Sequence, residues 1–124
     1  MSTVIIRPKT LAGTIAPPPS KSQAHRLIIS AALARGTSTI RNVAFYQDIE
    51  ATLRCMEALG ASWEQPEEGT VRVTGIGGPT PHSSTGEELP CFDCGESGST
   101  LRFLIPIALA VAGGGIFTGR GRLM

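Results

Sequence analysis

Three consecutive prolines, Pro17-Pro18-Pro19, run into Ser20-Lys21-Ser22-Gln23-Ala24-His25-Arg26, and this stretch constrains the chain more than any other. The prolines hold the backbone extended and keep a helix from starting early. Ser20 is then a good N-cap, and Gln23 three residues on completes a capping box, so the pattern predicts a helix from Lys21. Its first turns carry Lys21, Ser22, His25 and Arg26. An exposed cation at the positive end of a helix dipole is disfavoured by about 0.3–1 kcal/mol. Placing lysine and arginine there makes sense if an anion sits at the helix start. Free backbone N–H groups, the dipole, the Ser22 hydroxyl and the cations would converge on it. Ser22 and Arg26 are four apart and share a face. The competing reading is an ordinary capped helix with solvated basic residues.

A second stretch has the same character. Gly95-Glu96-Ser97-Gly98-Ser99-Thr100-Leu101-Arg102 reads as a tight turn into a helix starting near Ser99, with Arg102 in its first turn. Glycine allows close backbone approach to a ligand, and hydroxyls at a helix start suit an anion. It is not a Walker A loop, because no Lys-Ser/Thr pair follows the second glycine. The plainer alternative is a strand-to-helix turn that needs glycine for its geometry alone. Two such helix starts, with Arg120 and Arg122 near the end of the chain, favour a site for several phosphate or carboxylate groups over either motif taken singly.

Composition narrows the field. The 124 residues are 41% hydrophobic and 17% charged, which is globular rather than disordered. The formal net charge is only +1, so neither a nucleic-acid surface nor a membrane surface is expected, and phosphate affinity has to come from local clusters. No basic segment followed by an apolar one opens the chain, so a secretory leader is not expected. The apolar run from Leu101 to Phe117 contains Arg102, Pro106 and three consecutive glycines and reads as a buried helix and strand, not a membrane span. Three cysteines, an odd number, fit a reducing cytoplasm. Cys91 and Cys94 have the spacing of half a zinc site, but no second pair exists; they read as buried structural thiols, and no metal is expected. His25 could contact a ligand. His82 reads as a solvated loop residue, Trp63 as a core or strand-edge aromatic, and Glu67-Glu68 as a solvated turn.

The periodicities predict an α/β layout, roughly β-α-β-β repeated. A strand is expected at 2–6, with 11–16 as a second extended piece, then a helix over 21–34 with Ala24, Leu27, Ile28, Ala31 and Ala34 on its apolar side and Gly36 at its C′ position. A strand over 37–43 follows, then a helix capped by Asp48 and ended by Gly60. Short strands at 61–64 and 70–74 flank a turn at 65–69, and 75–90 reads as a surface loop. A strand at 91–94, the second glycine-rich turn, a helix that Pro106 should kink or delay, and a strand at 116–118 complete the series. The final Gly119-Arg120-Gly121-Arg122 segment has nothing after it to finish a fold, and the chain reads as cut short.

At these motifs the chain resembles a known family. Pro19-Ser20-Lys21-Ser22-Gln23-Ala24-His25-Arg26 resembles the N-terminal signature of the 5-enolpyruvylshikimate-3-phosphate synthases, also called 3-phosphoshikimate 1-carboxyvinyltransferases. Gly95-Glu96-Ser97-Gly98-Ser99-Thr100-Leu101-Arg102-Phe103 resembles their second signature, and Thr118-Gly119-Arg120-Gly121-Arg122 their third. The likeness runs over essentially all 124 residues, but over roughly the first third of a usual member. It implies an α/β (α+β) enolpyruvyl transferase-like fold of two domains built from repeated βαβαββ units, only the first part being present. Residues 1–20 would be strands of the domain completed by the missing C-terminal half, and 21–124 an incomplete first portion of the other.

The resemblance further implies a metal- and cofactor-free transferase of the shikimate pathway, leading to chorismate and aromatic amino acids. It would move the enolpyruvyl group of phosphoenolpyruvate to the 5-hydroxyl of shikimate 3-phosphate and release phosphate, in the cytoplasm and as a monomer. Lys21 matches the catalytic lysine that touches both substrates, Ser22 and Arg26 the residues holding shikimate 3-phosphate, and Gly98 and Arg122 groups that bind phosphoenolpyruvate. Asp48, Ser99 and Arg102 align near the site. The chain departs from the family at Glu96-Ser97, where Asn-Ala or Asn-Ser is more usual, and at Phe103, where many members have proline. The acid/base groups would lie in the missing remainder, so the chain alone is expected to be inactive. Two other readings stand beside this one: a non-catalytic anion-binding fragment, and a UDP-N-acetylglucosamine enolpyruvyl transferase, whose start more often has a Gly-Ala-Lys-Asn type segment.

Overall fold

The computed structural model describes residues 2–78 and 89–124. His82 and most of the loop expected around it lie outside the described residues. Within them the order is α1 (Lys21–Leu33), β1 (Thr37–Ile40), α2 (Gln47–Leu59), β2 (Ser62–Glu67), β3 (Thr70–Thr74), β4 (Cys91–Asp93), α3 (Gly98–Ala112), β5 (Ile116–Thr118) and a 3₁₀ turn at Gly121–Leu123. β3 lies between β1 and β2 in an antiparallel sheet, while β4 and β5 pair in parallel with α3 as their crossover. No helix among the described residues is long and apolar enough to cross a membrane.

The helices form where caps and apolar stripes coincide. Ser20 caps α1, and Ala24, Ile28, Ala31 and Ala32 form its buried stripe. Leu27 and Ala34, expected on that side, fall on its flank and stay exposed. Helix α2 buries Ile49, Leu53, Met56 and Leu59 and ends at Gly60, whose φ of +108° suits glycine. It opens at Gln47 with Tyr46 in the cap position, not Asp48, whose carboxylate is drawn to Lys21 instead. Helix α3 opens one residue earlier than expected, on a Ser97 cap, and passes through Pro106. Burial of Leu104, Ala108 and Ala112 holds both sides of that proline against the core.

The strands differ more from expectation. Residues 2–20 form no strand, because a strand's N–H and C=O groups need a partner and the described residues offer them none. Val4, Ile5, Ile6, Leu11 and Ile15 are consequently 76–89% exposed. Strand β1 stops at Ile40, since Asn42 takes a left-handed conformation at φ +59°. Strand β2 runs through Pro66 to Glu67, across residues expected to turn. It is an edge strand whose register slips between Glu64 and Glu67, so the missing proline donor breaks no ladder. Cys94 is buried as expected, but Cys91 is exposed.

The core lies between the helices and the sheets. Ile28, Ile49, Leu53, Met56, Val71, Phe92 and Leu104 are all fully enclosed, and Phe92 stacks on Phe117 at 5.1 Å. After β3 the chain is pinned to the end of α1, with Ile76 N–H donating to the Ala32 carbonyl at 2.8 Å. A Cβ at Gly75 would collide with the carbonyl oxygens of Ala31 and Ala34, so only glycine fits there. Because Leu53 is fully buried in this core, Leu53→Ala is expected to destabilise the protein by about 2–5 kcal/mol, read as a lowered urea midpoint with unchanged slope.

Candidate anion-binding site

The site is built on helix starts. The Ser20 hydroxyl accepts from the Gln23 N–H at 3.2 Å, and the Ser97 hydroxyl accepts from the Thr100 N–H at 3.1 Å. Neither α1 nor α3 has an acidic residue in its first turn, whereas α2 has Asp48 and Glu50. The positive ends of α1 and α3 are thus left uncompensated by their own side chains. Lys21 at the start of α1 is met from α2: its Nζ lies 3.6 Å from Asp48 Oδ2 and 4.8 Å from the centre of the Tyr46 ring. The lysine and aspartate side chains remain 50% and 39% exposed, so the pair is worth only about 0–1 kcal/mol to the fold. Its consequence is geometric: the ammonium is held at one place while still open to a ligand.

Beneath this surface a chain of buried polar groups joins the three helices. His25 Nδ1 lies 2.7 Å from the Thr52 hydroxyl of α2, which lies 2.8 Å from the Thr100 hydroxyl of α3. Thr100 Oγ1 is also 2.6 Å from Ser97 Oγ and donates to the Asp48 carbonyl at 3.4 Å. All four side chains, His25, Thr52, Ser97 and Thr100, are buried. Burial holds His25 below the ordinary imidazole range, with the Asp48 carboxylate opposing and the Lys21 ammonium reinforcing that shift.

A second zipper ties the glycine-rich turn before α3 to the arginine segment after β5. Cys94 N–H donates to the Thr118 carbonyl at 2.9 Å and Arg120 N–H to the Gly95 carbonyl at 2.8 Å. The Glu96 carboxylate occupies the space that a side chain on Gly121 would need, and Gly121 has φ +61°. Between α2 and this zipper lies a polar cleft of about 140 Å³, lined by Asp48, Glu50, Arg54, Glu96 and Arg120 among others. A larger cleft of about 560 Å³ beside Phe45 and Trp63 is lined by two carboxylates and no cation, which does not suit an anion.

The sequence-derived residues divide accordingly. Lys21 and Asp48 are in contact, and Gly98 opens α3 with empty space where a Cβ would stand. Ser22, Arg26, Ser99, Arg102 and Arg122 are exposed, and among the described residues none of them is tied to the Lys21–Asp48 pair. Burial pushes the Cys55 and Cys94 thiols up, which disfavours their reactive thiolate forms. Sequence reasoning missed Tyr46, whose only signal was an aromatic residue next to the predicted cap. It also missed Thr52, which looked like one more polar residue inside a helix.

The state of His25 gives a stability test. Its folded pKa is lowered, so as pH falls the unfolded chain takes up the proton first, near the ordinary value of about 6.5. Its contribution is fully present above that value and is lost as pH falls through it towards the folded pKa. The melting temperature should therefore decline on acidification below about pH 6.5, and His25→Gln should flatten that part of the curve. Equal slopes for both proteins would contradict the assignment.

Known proteins resemble this chain in sequence and in fold. The family model described as EPSP synthase (3-phosphoshikimate 1-carboxyvinyltransferase) matches residues 5–124. The 3-phosphoshikimate 1-carboxyvinyltransferase of Clostridium novyi (strain NT) is 46% identical over 132 residues, covering 100% of this chain and 29% of the relative. That of Clostridioides difficile (strain 630) is 43% identical over 127 residues, covering 99% and 29%. A 2.37 Å structure of EPSP synthase from Acinetobacter baumannii superposes with a TM-score of 0.73 at 30% identity, over 90% of this chain and 24% of that one. The expected shortfall in length is thus borne out, the chain spanning about 29% of these curated relatives. On the family match, the identities and the shared fold together, the chain belongs to the EPSP synthase, or 3-phosphoshikimate 1-carboxyvinyltransferase, family.

Proposed function

We propose that these residues form part of the substrate-binding apparatus of an enzyme that transfers the enolpyruvyl group of phosphoenolpyruvate to the 5-hydroxyl of shikimate 3-phosphate, releasing phosphate. The observation that carries this reading is the pairing of two serine-capped helix starts, neither with an acidic first turn, with an exposed and positioned Lys21. Two anionic substrates need such uncompensated positive ends. The reaction joins carbon 2 of phosphoenolpyruvate to the hydroxyl oxygen, passes through a tetrahedral intermediate, and expels phosphate.

In this reading Lys21 contacts both substrates, and Ser22 and Arg26 hold shikimate 3-phosphate. The open face of Gly98 lets the start of α3 approach phosphoenolpyruvate, and Arg122 pairs with its charge. Asp48 fixes Lys21, while Ser99 and Arg102 lie close by as supporting groups. These groups orient the substrates and neutralise charge. The groups that move protons lie outside the 124 residues. Residues 1–20 belong to a second domain, a reading supported by their exposed apolar side chains. Residues 21–124 begin the first, and closure of one domain on the other would exclude water from the ion contacts. The whole enzyme is a cytoplasmic monomer of the pathway to chorismate and the aromatic amino acids.

A continuous phosphate-release assay tests the proposal. The whole protein carrying this segment should release phosphate only when both substrates are present, and the 124-residue chain alone should release none. Turnover by the chain alone would refute the division of labour; binding of shikimate 3-phosphate without turnover is the expected behaviour if the chain folds by itself. Within the whole protein, Lys21→Met removes a charge-assisted contact of about 1.5–3 kcal/mol per substrate and should lower kcat/KM by about 10- to 150-fold. Arg122→Ala should raise KM for phosphoenolpyruvate more than KM for shikimate 3-phosphate.

A further inference from the structure

The buried chain between α1 and α3 fixes more than the spacing of the helices. Four contacts link His25, Thr52, Thr100, Ser97 and the Asp48 carbonyl. Each hydroxyl has a single proton to give, and a carbonyl can only accept. With all four contacts made as hydrogen bonds, the Thr100 proton goes to the Asp48 carbonyl and the Thr100 oxygen accepts from both Thr52 and Ser97. The Ser97 oxygen accepts from the Thr100 N–H while its own proton goes to the Thr100 oxygen. Thr52, having given its proton to Thr100, has only lone pairs left for His25. In that arrangement the proton in the remaining contact sits on Nδ1 of the imidazole. Four contacts use four protons in one arrangement.

We propose that His25 is held as the Nδ1–H tautomer, and that His25, Thr52 and Thr100 are positioning residues which set the start of α3, with Gly98 and Ser99, against the start of α1, with Lys21 and Ser22. The positioning role rests on the reading under Proposed function; the tautomer does not. Apolar packing between helices has no preferred direction and tolerates small slides and rotations. A chain of hydroxyls with one proton arrangement tolerates neither, since any slide leaves a buried donor or acceptor unmet. The chain touches neither proposed substrate. It acts through the two helix starts, whose separation sets how far apart two bound anions lie. The Ser20 cap of α1 is independent of it, so the groups proposed to hold shikimate 3-phosphate keep their place when the chain is cut. The Ser97 cap of α3 is itself part of the chain through Thr100, so the start of α3 shifts with it.

Two measurements on the whole protein test this. Long-range ¹⁵N–¹H correlation on protein labelled with ¹⁵N-histidine, recorded above pH 7 where the imidazole is neutral, should show His25 Nδ1 as the protonated nitrogen and Nε2 as the bare one, with His25→Gln identifying the signal. The reverse pattern would overturn the tautomer, and the proton arrangement with it. In kinetics, Thr52→Val should raise KM for phosphoenolpyruvate by about 10-fold or more, with KM for shikimate 3-phosphate within about twofold of the unsubstituted protein. Thr52→Ser, which keeps the hydroxyl, should restore it. Equal losses for both substrates, or no rescue by serine, would reduce Thr52 to a structural role. If Thr52→Val fails to fold, Thr100→Ser should match the unsubstituted protein and Thr100→Val should reproduce the selective KM effect; any other pattern overturns positioning. An unsubstituted protein with no turnover would refute the proposed function and the positioning role, leaving the tautomer to be decided by its own spectrum.

Discussion

The Thr52 hydroxyl is sealed between three helices, and no water can replace a partner that moves away. Leaving a buried hydroxyl unmet costs about 1–3 kcal/mol, a sizeable part of a small domain's net stability. The hydrophobic core supplies most of the drive to fold, through residues such as Leu53, Ile28 and Phe92, but that drive has little direction. Direction comes from His25, Thr52, Thr100 and Ser97. Their bonds close only when α1, α2 and α3 share one mutual rotation, and that rotation puts Asp48 within reach of Lys21.

Charge is used locally. With a net charge of only +1 the chain has no long-range field to gather anions. What it has are helix starts without acidic residues, where backbone donors and basic side chains act over a few ångströms. The Lys21–Asp48 pair fits this economy. It adds little stability at half exposure, and a stronger, buried pair would have left the ammonium unavailable. Tyr46 completes the cradle with its ring face, 4.8 Å from the ammonium.

Local chemistry was legible in the sequence and non-local chemistry was not. Ser20 and Gln23 marked the start of α1, and Gly60 marked the end of α2, because caps are decided within four residues. The Asp48 cap failed for a non-local reason, the pull of Lys21 on its carboxylate. Strand β2 overran its predicted turn because Pro66 lies on an edge, which no local pattern reveals. Residues 2–6 had a strand's composition without a strand's partner. The family signatures pointed to Lys21, Gly98 and Arg122. The chain of hydroxyls behind them was hidden, because nothing in the two signatures pairs His25 with Thr100, Thr52 lies outside both, and the three meet only in the folded molecule.

The two sheets also differ in how they can be assembled. Strands β2 and β3 are neighbours in the chain and close through a tight turn, so their ladder can form early and cheaply. Strands β4 and β5 pair in parallel, and their ladder cannot close until α3 and the glycines after it have been laid down. The zipper that shapes the turn around Gly95 depends on Thr118 and Arg120, near the end of the 124 residues. During synthesis, therefore, the serine-capped start of α1 can form well before that of α3. The two helix starts are thus separated in time, and in a nascent chain that has made only α1 and α2 the Thr52 hydroxyl stays open to water until α3 arrives and seals it.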